Sequence, residues 1–262
     1  MSSFDKMIKV LNTLGRQSGG IGIIQLSKQI NMPQSTTHRL LAELMKYNLV
    51  IQESGSRHYT IGPGLLNLGL AYIRQNPINA IAQPFLVECC SILKETVFLT
   101  VLANQEAICT STVMAEDRNL NFFMGTGKRM PLHASAAAWA ILAYFGEERV
   151  RQILKKEEFV PFSSTTPRTI DDVLTYLHKT RENGYSICNG EMDVGVTAIS
   201  VPICNFSGQV VASLTAVGSE YRLFPVKERE NVIRVLKKYA ENISLSIGCP
   251  VGEASISKSD SF

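Results

Sequence analysis

The sequence predicts an α+β chain of two unequal parts, and three observations predict it. The first sixty residues hold three short amphipathic helical patterns, followed by two strand-like runs around a Ser-Gly-Ser turn. Beyond about residue 77 helical and strand patterns mix, with no internal repeat. The 262 residues, 45% hydrophobic and 19% charged, are enough for one or two domains with packed cores.

The N-terminal elements follow in order. Phe4, Met7, Ile8, Leu11 and Leu14 recur at spacings of three and four, which predicts a first helix ended by Gly15 and the Gly19-Gly20 pair. A second helix is expected from about Ile24 to Ile30, with Leu26 and Ile30 inward, and the turn Asn31-Met-Pro33 follows. Proline suits the first helical position, where the N–H has no partner anyway. In the third helix Thr37, Leu40, Leu41, Leu44 and Met45 share one face. At about 100° per residue, Ser35, Arg39, Ala42 and Lys46 fall opposite, flanked by Gln34 and His38 on one side and Thr36 on the other. After Tyr47-Asn48-Leu49, the strands Val50 to Glu53 and Tyr59 to Ile61 enclose the turn Ser54-Gly55-Ser56, with Arg57 and His58 on its far side and Tyr59 expected to pack. A helix, a tight turn, a helix with a polar leading face and a basic-edged hairpin make a winged helix-turn-helix, which offers one helix end to a DNA major groove.

The residue types suit that task. Arg39 is long enough to reach a guanine edge, and Gln34 can pair with adenine. Ser35, Thr36 and Ala42 are short and allow close approach, while the helix start favours a phosphate. Lys28 and Arg57 are the expected phosphate contacts beside the helix, and His38 lies on the same face. Residues 1–62 carry seven basic side chains against three acidic ones, although the net charge of the whole chain is only +3. The alternative is a solvated surface helix. The scarcity of acids on its outer face, with Glu43 at the margin, opposes that reading.

Other functions leave little trace. The first residues lack the basic and apolar regions of a signal peptide, and no run of about eighteen apolar residues exists, so no membrane span and a cytoplasmic location are expected. Cysteines at 89, 90, 109, 188, 204 and 249 form no Cys-x-x-Cys pair, and the four histidines are scattered, so neither a metal nor a cofactor is expected. There is no Gly-rich phosphate loop, no Gly-x-Ser-x-Gly and no His-Glu-x-x-His.

Four blocks carry a family resemblance: Pro33-Gln-Ser-Thr-Thr-His-Arg-Leu-Leu41 with Tyr59-Thr-Ile-Gly62; Leu65-Leu-Asn-Leu-Gly69; Gly127-Lys-Arg-Met-Pro-Leu-His-Ala-Ser135; and Gly184-Tyr-Ser followed by Glu191, Gly195, Ile199 to Pro202 and Gly208 to Leu214. In order and spacing, over about residues 4 to 248, the chain resembles the IclR family of bacterial transcription regulators. The resemblance implies a winged helix-turn-helix over 1–62, a linker helix over 63–76, and a GAF-like effector-binding domain with a central antiparallel sheet over 77–248. A disordered tail is expected over 249–262. The periodicities of the second part agree: helices over Ile78 to Glu95, Leu132 to Phe145, Glu147 to Lys155, Asp171 to Asn183 and Pro225 to about Ile247. Strands are expected over Val97 to Leu102, Ala107 to Val113, Tyr185 to Cys188, Thr197 to Cys204 and Val210 to Val217, and a loop over Val160 to Thr169.

The resemblance also implies a function: a homodimer or homotetramer, expected to be a repressor, whose affinity for a double-stranded operator is set by a small metabolite. Ala136, Ala137, Cys188, Ala198, Thr215 and Val217 stand where such relatives contact the effector, and Met124 is added as a pocket residue. Relatives that sense small carboxylates carry an acid at the place of Cys188 and a hydroxyl at that of Val217. The less polar set here points away from glyoxylate or pyruvate and toward a larger or more apolar metabolite, aromatic or a sugar acid. Cys188, Met124 and Phe123 remain open between packing and ligand contact. The alternative function is a GAF-like thiol redox enzyme centred on Cys188 or Cys109.

Overall fold

In the computed structural model the described residues are 2–17, 19–75, 78–115 and 125–249, with side chains omitted for 72–75. The chain divides into two compact units, residues 1–77 and 78–262.

The first unit holds α1 (Ser3–Gly15), α2 (Ile23–Ile30), α3 (Gln34–Lys46), β1 (Val50–Gln52), β2 (Tyr59–Ile61) and α4 (Pro63–Gln75). Ser2 and Asp5 form a reciprocal capping box at the start of α1. The inward stripe of α1 is Met7, Val10, Leu11 and Leu14, rather than one that includes Phe4 and Ile8, which are 69% and 39% exposed. At 100° per residue those two sit about 60–100° to one side of Met7, whereas the fully buried Val10 and Leu14 lie about 60° and 20° to its other side. The same geometry leaves Met45 at the rim of the α3 face, while Thr37, Leu40, Leu41 and Leu44 are buried against Leu26 and Ile30. Pro33 is the N-cap of α3, one position before the first helical residue. Asn31 ends α2 in the left-handed region, which gives the tight turn.

β1 and β2 pair antiparallel, and Ile21 and Tyr59 exchange two backbone hydrogen bonds of 2.9 and 3.1 Å, tying the hairpin to the start of α2. Tyr59 is buried, as a packing residue. The Gly62 and Gly64 amides donate to Leu49 O and Asn48 O at 2.9 and 2.8 Å. A Cβ on Gly62 would lie 2.2 Å from Asn48 O, so only glycine lets α4 leave the hairpin this close to the end of α3.

The second unit holds α5 (Ile78–Leu93), β3 (Thr96–Ala103), β4 (Glu106–Val113), β5 (Arg129–Met130), α6 (Ala136–Leu142), α7 (Glu147–Leu154), α8 (Ile170–Asn183), β6 (Ser186–Asn189), β7 (Val196–Cys204), β8 (Val210–Ser219), α9 (Glu220–Leu223) and α10 (Val226–Ser246). The strands form one antiparallel sheet in the order β5-β4-β3-β8-β7-β6. α5 and α10 pack on one face through Leu86, Leu236 and Ile243 against Leu99, Val201 and Leu214. α6, α7 and α8 pack on the other through Trp139, Ile153 and Leu177 against Phe98, Cys188 and Val217.

Three expectations are corrected here. α5 stops at Leu93 rather than Glu95 because Lys94 turns left-handed, which sends Glu95 into a fork with Arg222 whose second bond is 2.9 Å. The helix expected from Leu132 begins at Ala136, because Glu157 Oε1 accepts the Leu132 N–H at 2.9 Å and holds the preceding residues off the helix. The strand β5 and the single-turn helix α9, two and four residues long, are too short to leave a periodic signal.

Candidate nucleic-acid interface and ligand cavity

On α3 the side chains of Gln34, Ser35, His38 and Arg39 are exposed, and Thr36 is half-buried. Pro33 supplies no side-chain cap, so the leading N–H groups of α3 lack a side-chain partner, as an anion-accepting helix end requires. Thr37 is fully buried and donates its hydroxyl to Pro33 O at 3.1 Å, which pins the turn that presents this end. The acid on α3, Glu43, is drawn back to Lys46 at 2.8 Å and so offers no repulsion at the leading turn.

Lys28 and Arg57 come together. They line one open groove of about 400 Å³ between the start of α2 and the hairpin, with Gly22, Gln25, Ser56 and His58. The hairpin tip is braced: Glu53 N–H donates to His58 O at 2.9 Å, Arg57 N–H to Glu53 O at 3.0 Å, and Gln52 Nε2 to Arg57 O at 3.1 Å. Glu53 is occupied by the Ser56 hydroxyl at 2.8 Å. α2 also lacks a side-chain cap at Gly22. Two cations and an uncapped helix start thus border one groove, a concentration of positive charge. No described α3 residue lines that groove.

In the second unit a cavity of about 40 Å³ lies where the start of α6 meets β6, β7 and β8. Ala136, Ala137, Cys188, Ala198 and Val217, five of the candidate effector contacts, line it. The register explains the row: Cys188 pairs with Ala198, and Ala198 with Val217, so three neighbouring strands present one side chain each. Thr215 does not line it. Its buried hydroxyl donates to Ser200 Oγ at 2.8 Å, beneath α6, one pleat repeat from Val217. Met124 lies outside the described residues, as does Phe123. Phe98, Met130, Ser135, Met192, Asp193 and Val196 complete the lining and were missed. Strand alternation from Ala198 would have found Val196; Phe98 and Met130 required the register.

The cavity walls are mainly apolar, with the Cys188 thiol, the Ser135 hydroxyl and Asp193 as polar groups, and among the described residues no cationic side chain lines them. Cys188 donates to Ala134 O at 3.4 Å. Burial, and then the carboxylate of Glu191, raise its pKa far above the ordinary thiol value. Burial likewise raises that of Cys109. Burial thus disfavours the thiolate at both, and neither has a second cysteine among the cavity-lining residues to resolve an oxidised sulfur, so the redox-enzyme alternative gains no support. Among the described residues no group of three or more His, Cys, Asp or Glu side chains is placed to hold a metal ion.

The wall before α6 is fixed by a buried histidine. His133 Nδ1 lies 3.3 Å from Glu157 Oε1 and Nε2 lies 3.0 Å from Val160 O, and Phe162 stacks on the ring at 5.6 Å. Burial opposes a charged ring, but the bonds to Glu157 and Val160 outweigh it and raise the pKa. Further along the same loop, Thr166 donates to Glu191 O at 2.6 Å, and Glu191 accepts from Tyr176 OH at 3.0 Å. The segment Val160 to Thr169 therefore spans from the α6 entry to the strand-end loop beside the cavity.

Comparison with known proteins agrees in both units. Residues 3–54 match the IclR helix-turn-helix domain, and residues 70–245 match the bacterial transcriptional regulator IclR C-terminal domain. The HTH-type transcriptional repressor AllR of Escherichia coli (strain K12) is 30% identical over 221 residues, 84% of this chain and 81% of that protein. The Thermotoga maritima IclR structure superposes with a TM-score of 0.75 at 25% identity, covering 94% of this chain and 98% of the other. An IclR homologue from Microbacterium hydrocarbonoxydans, solved with 4-hydroxybenzoate, superposes with a TM-score of 0.81 at 22% identity over 94% and 99% of the two chains, a likeness of fold. Two family domains in tandem spanning most of the chain, an uncapped polar helix end on the first and a lined cavity in the second have one common explanation: this chain belongs to the IclR family of bacterial transcriptional regulators.

Proposed function

We propose that this protein is a repressor that binds a double-stranded operator through α3 and releases or tightens it when a small metabolite occupies the second unit. The observation that carries the reading is the leading turn of α3: exposed, uncapped, free of acids and rich in short polar side chains, within a matched helix-turn-helix. Gln34, Ser35, Thr36, His38 and Arg39 are the assigned DNA-facing residues, with Lys28 and Arg57 on the flanking phosphates. The sign of regulation follows the relative AllR, a repressor. Two copies on a pseudo-palindromic site, or two such pairs, suit a single recognition helix per chain, and such a role belongs in the cytoplasm with the chromosome.

Ala136, Ala137, Cys188, Ala198 and Val217, with Phe98 and Met192, are the assigned effector wall. At about 40 Å³ the cavity holds a few waters and must widen around any metabolite, which the flexible thioethers of Met130 and Met192 allow. An apolar lining, with no cation among the described residues, favours an aromatic or otherwise apolar acid over glyoxylate, since a small carboxylate needs charge-assisted donors to replace its water. The relative solved with 4-hydroxybenzoate supports that class. The experiment is a mobility shift of the full chain on DNA upstream of its own and adjacent genes, with and without aromatic acids. Binding that a metabolite changes supports the reading; indifference to all such fragments at low salt refutes it.

A further inference from the structure

We propose that Cys204 and Cys249 form a modification site, a dithiol that a peroxide or diazene oxidant closes into a disulfide, stapling the end of β7 to the segment that follows α10. The two residues lie about 45 positions apart in sequence, yet both are anchored to Ser244. The Cys204 N–H donates to Ser244 Oγ at 3.0 Å, and the Cys249 N–H donates to Ser244 O at 2.9 Å. Ser244 Oγ in turn donates to Ala240 O at 2.7 Å, which fixes the anchor to α10. Gly248, at φ +91°, reverses the chain after the helix and brings Cys249 back. Both side chains then enter one small apolar cluster with Ile141 and Val210. Apolar packing alone does not require two cysteines in one cluster of four buried side chains.

The chemistry balances with a peroxide. A Cys249 thiolate attacks the peroxide oxygen, giving a sulfenic acid and, after protonation, one water. The Cys204 thiolate attacks that sulfur and expels hydroxide, which becomes a second water. Two thiols lose two electrons and two protons, and the peroxide oxygens are reduced. With a diazene such as diamide, the N=N bond takes up the two electrons and two protons and leaves as the hydrazine. The two cysteines are 2% and 4% exposed, and burial, then the neighbouring Cys249, push the Cys204 thiol up to about 12, so reaction needs a local opening that rehydrates both thiols and frees their thiolates. Cys249 lies three residues beyond the last residue of α10, where opening is cheapest. The bond would clamp the far end of α6, since Ile141 of that helix belongs to the same cluster while its first residues line the cavity.

The test uses the reduced full chain, treated with hydrogen peroxide or diamide under native conditions. Peptide mapping without reductant should link the Cys204 and Cys249 peptides, two of the six thiols should be lost first, and Tm should rise by roughly 5–10 °C, reversibly with dithiothreitol. Cys249→Ser should abolish the link and the rise, whereas Cys188→Ser should keep both. Should Cys204→Ser fold poorly, Cys249→Ser alone decides. Linkage of either cysteine to Cys89, Cys90 or another molecule, or linkage only after denaturation, would overturn the proposal.

Discussion

At the scale of single residues, two groups of side chains separate by what they do to charge and geometry. Arg39 stands exposed on the leading half of α3, without any acid on that turn to hold it back. Arg39→Ala is expected to cost roughly 1–3 kcal/mol at the operator and to relax base preference there, as loss of a bidentate base contact does. Lys28→Ala or Arg57→Ala should instead weaken operator and random DNA alike, lowering the salt slope by about one per residue. Salt titrations of both DNAs by anisotropy distinguish the two, and equal loss on both DNAs for Arg39→Ala would remove its base-reading role. His133 makes a different prediction. Both ring nitrogens face acceptors, Glu157 and Val160 O, so the doubly protonated ring is the form that satisfies the site. Its folded pKa is raised, so its stabilisation is complete below about pH 6.5 and is lost as pH rises through the folded value. Glu157 is lowered, despite burial, by His133, the Leu132 N–H and Arg129, so its contribution holds above the ordinary carboxylate range and fails in acid. Thermal unfolding from pH 5.5 to 9 should show a decline with rising pH that His133→Asn removes; parallel curves for the two proteins would contradict it.

At the scale of elements, the joint between the hairpin and α4 is the tightest point of the first unit. Gly62→Ala would place a methyl group 2.2 Å from a backbone oxygen at Asn48, and backbone cannot swing aside as a side chain can. A loss of about 1–3 kcal/mol is expected, read by chemical denaturation, and Gly55→Ala at the open hairpin tip, where nothing lies within 4 Å, is the near-neutral control. A comparable loss at both positions would mean that crowding is not the cause. The same scale shows where periodicity misleads. The apolar run from Leu132 to Phe145 reads as one helix, but a carboxylate from α7's far side captures its first amide, and the regular helix shrinks to seven residues. The stripe Phe4, Met7, Ile8, Leu11 and Leu14 places the inward face of α1 partly right: Met7, Leu11 and Leu14 do pack inward, but Val10 joins them in place of Phe4 and Ile8, because the wall that α1 meets is made by α2, α3 and β2.

For the molecule as a whole, the effector can change operator affinity only by its difference in affinity between the DNA-competent arrangement and the other. A metabolite that acts as effector should therefore raise the Tm of the full chain, and its affinity should shift by the same factor in the presence of operator DNA as the operator's does in its presence. Calorimetric titration with and without DNA checks this reciprocity. A ligand that stabilises the protein yet leaves operator binding unchanged occupies a site unconnected with regulation. Widening the cavity wall by Met192→Ala should tighten larger aromatic acids relative to small ones, since the wall must otherwise move to admit them.

The sequence by itself determined the order of helices and strands, the class of the first unit, the surface of α3 that meets solvent, and five of the residues that line the cavity. The first three rest on local periodicity, turn residues or short motifs, which are properties of neighbouring positions, and the five cavity residues rest on the family resemblance, whose aligned blocks carry them. The tertiary structure alone decided that Thr215 turns beneath α6 to Ser200, that Lys28 and Arg57 share one groove, that Phe98 and Met130 complete the wall, and that Cys204 meets Cys249. Those facts depend on strand register and on contacts between residues far apart in the chain. A one-residue slip in register turns every side chain to the opposite face, and nothing in the local pattern of one strand records which residue of its neighbour it will face.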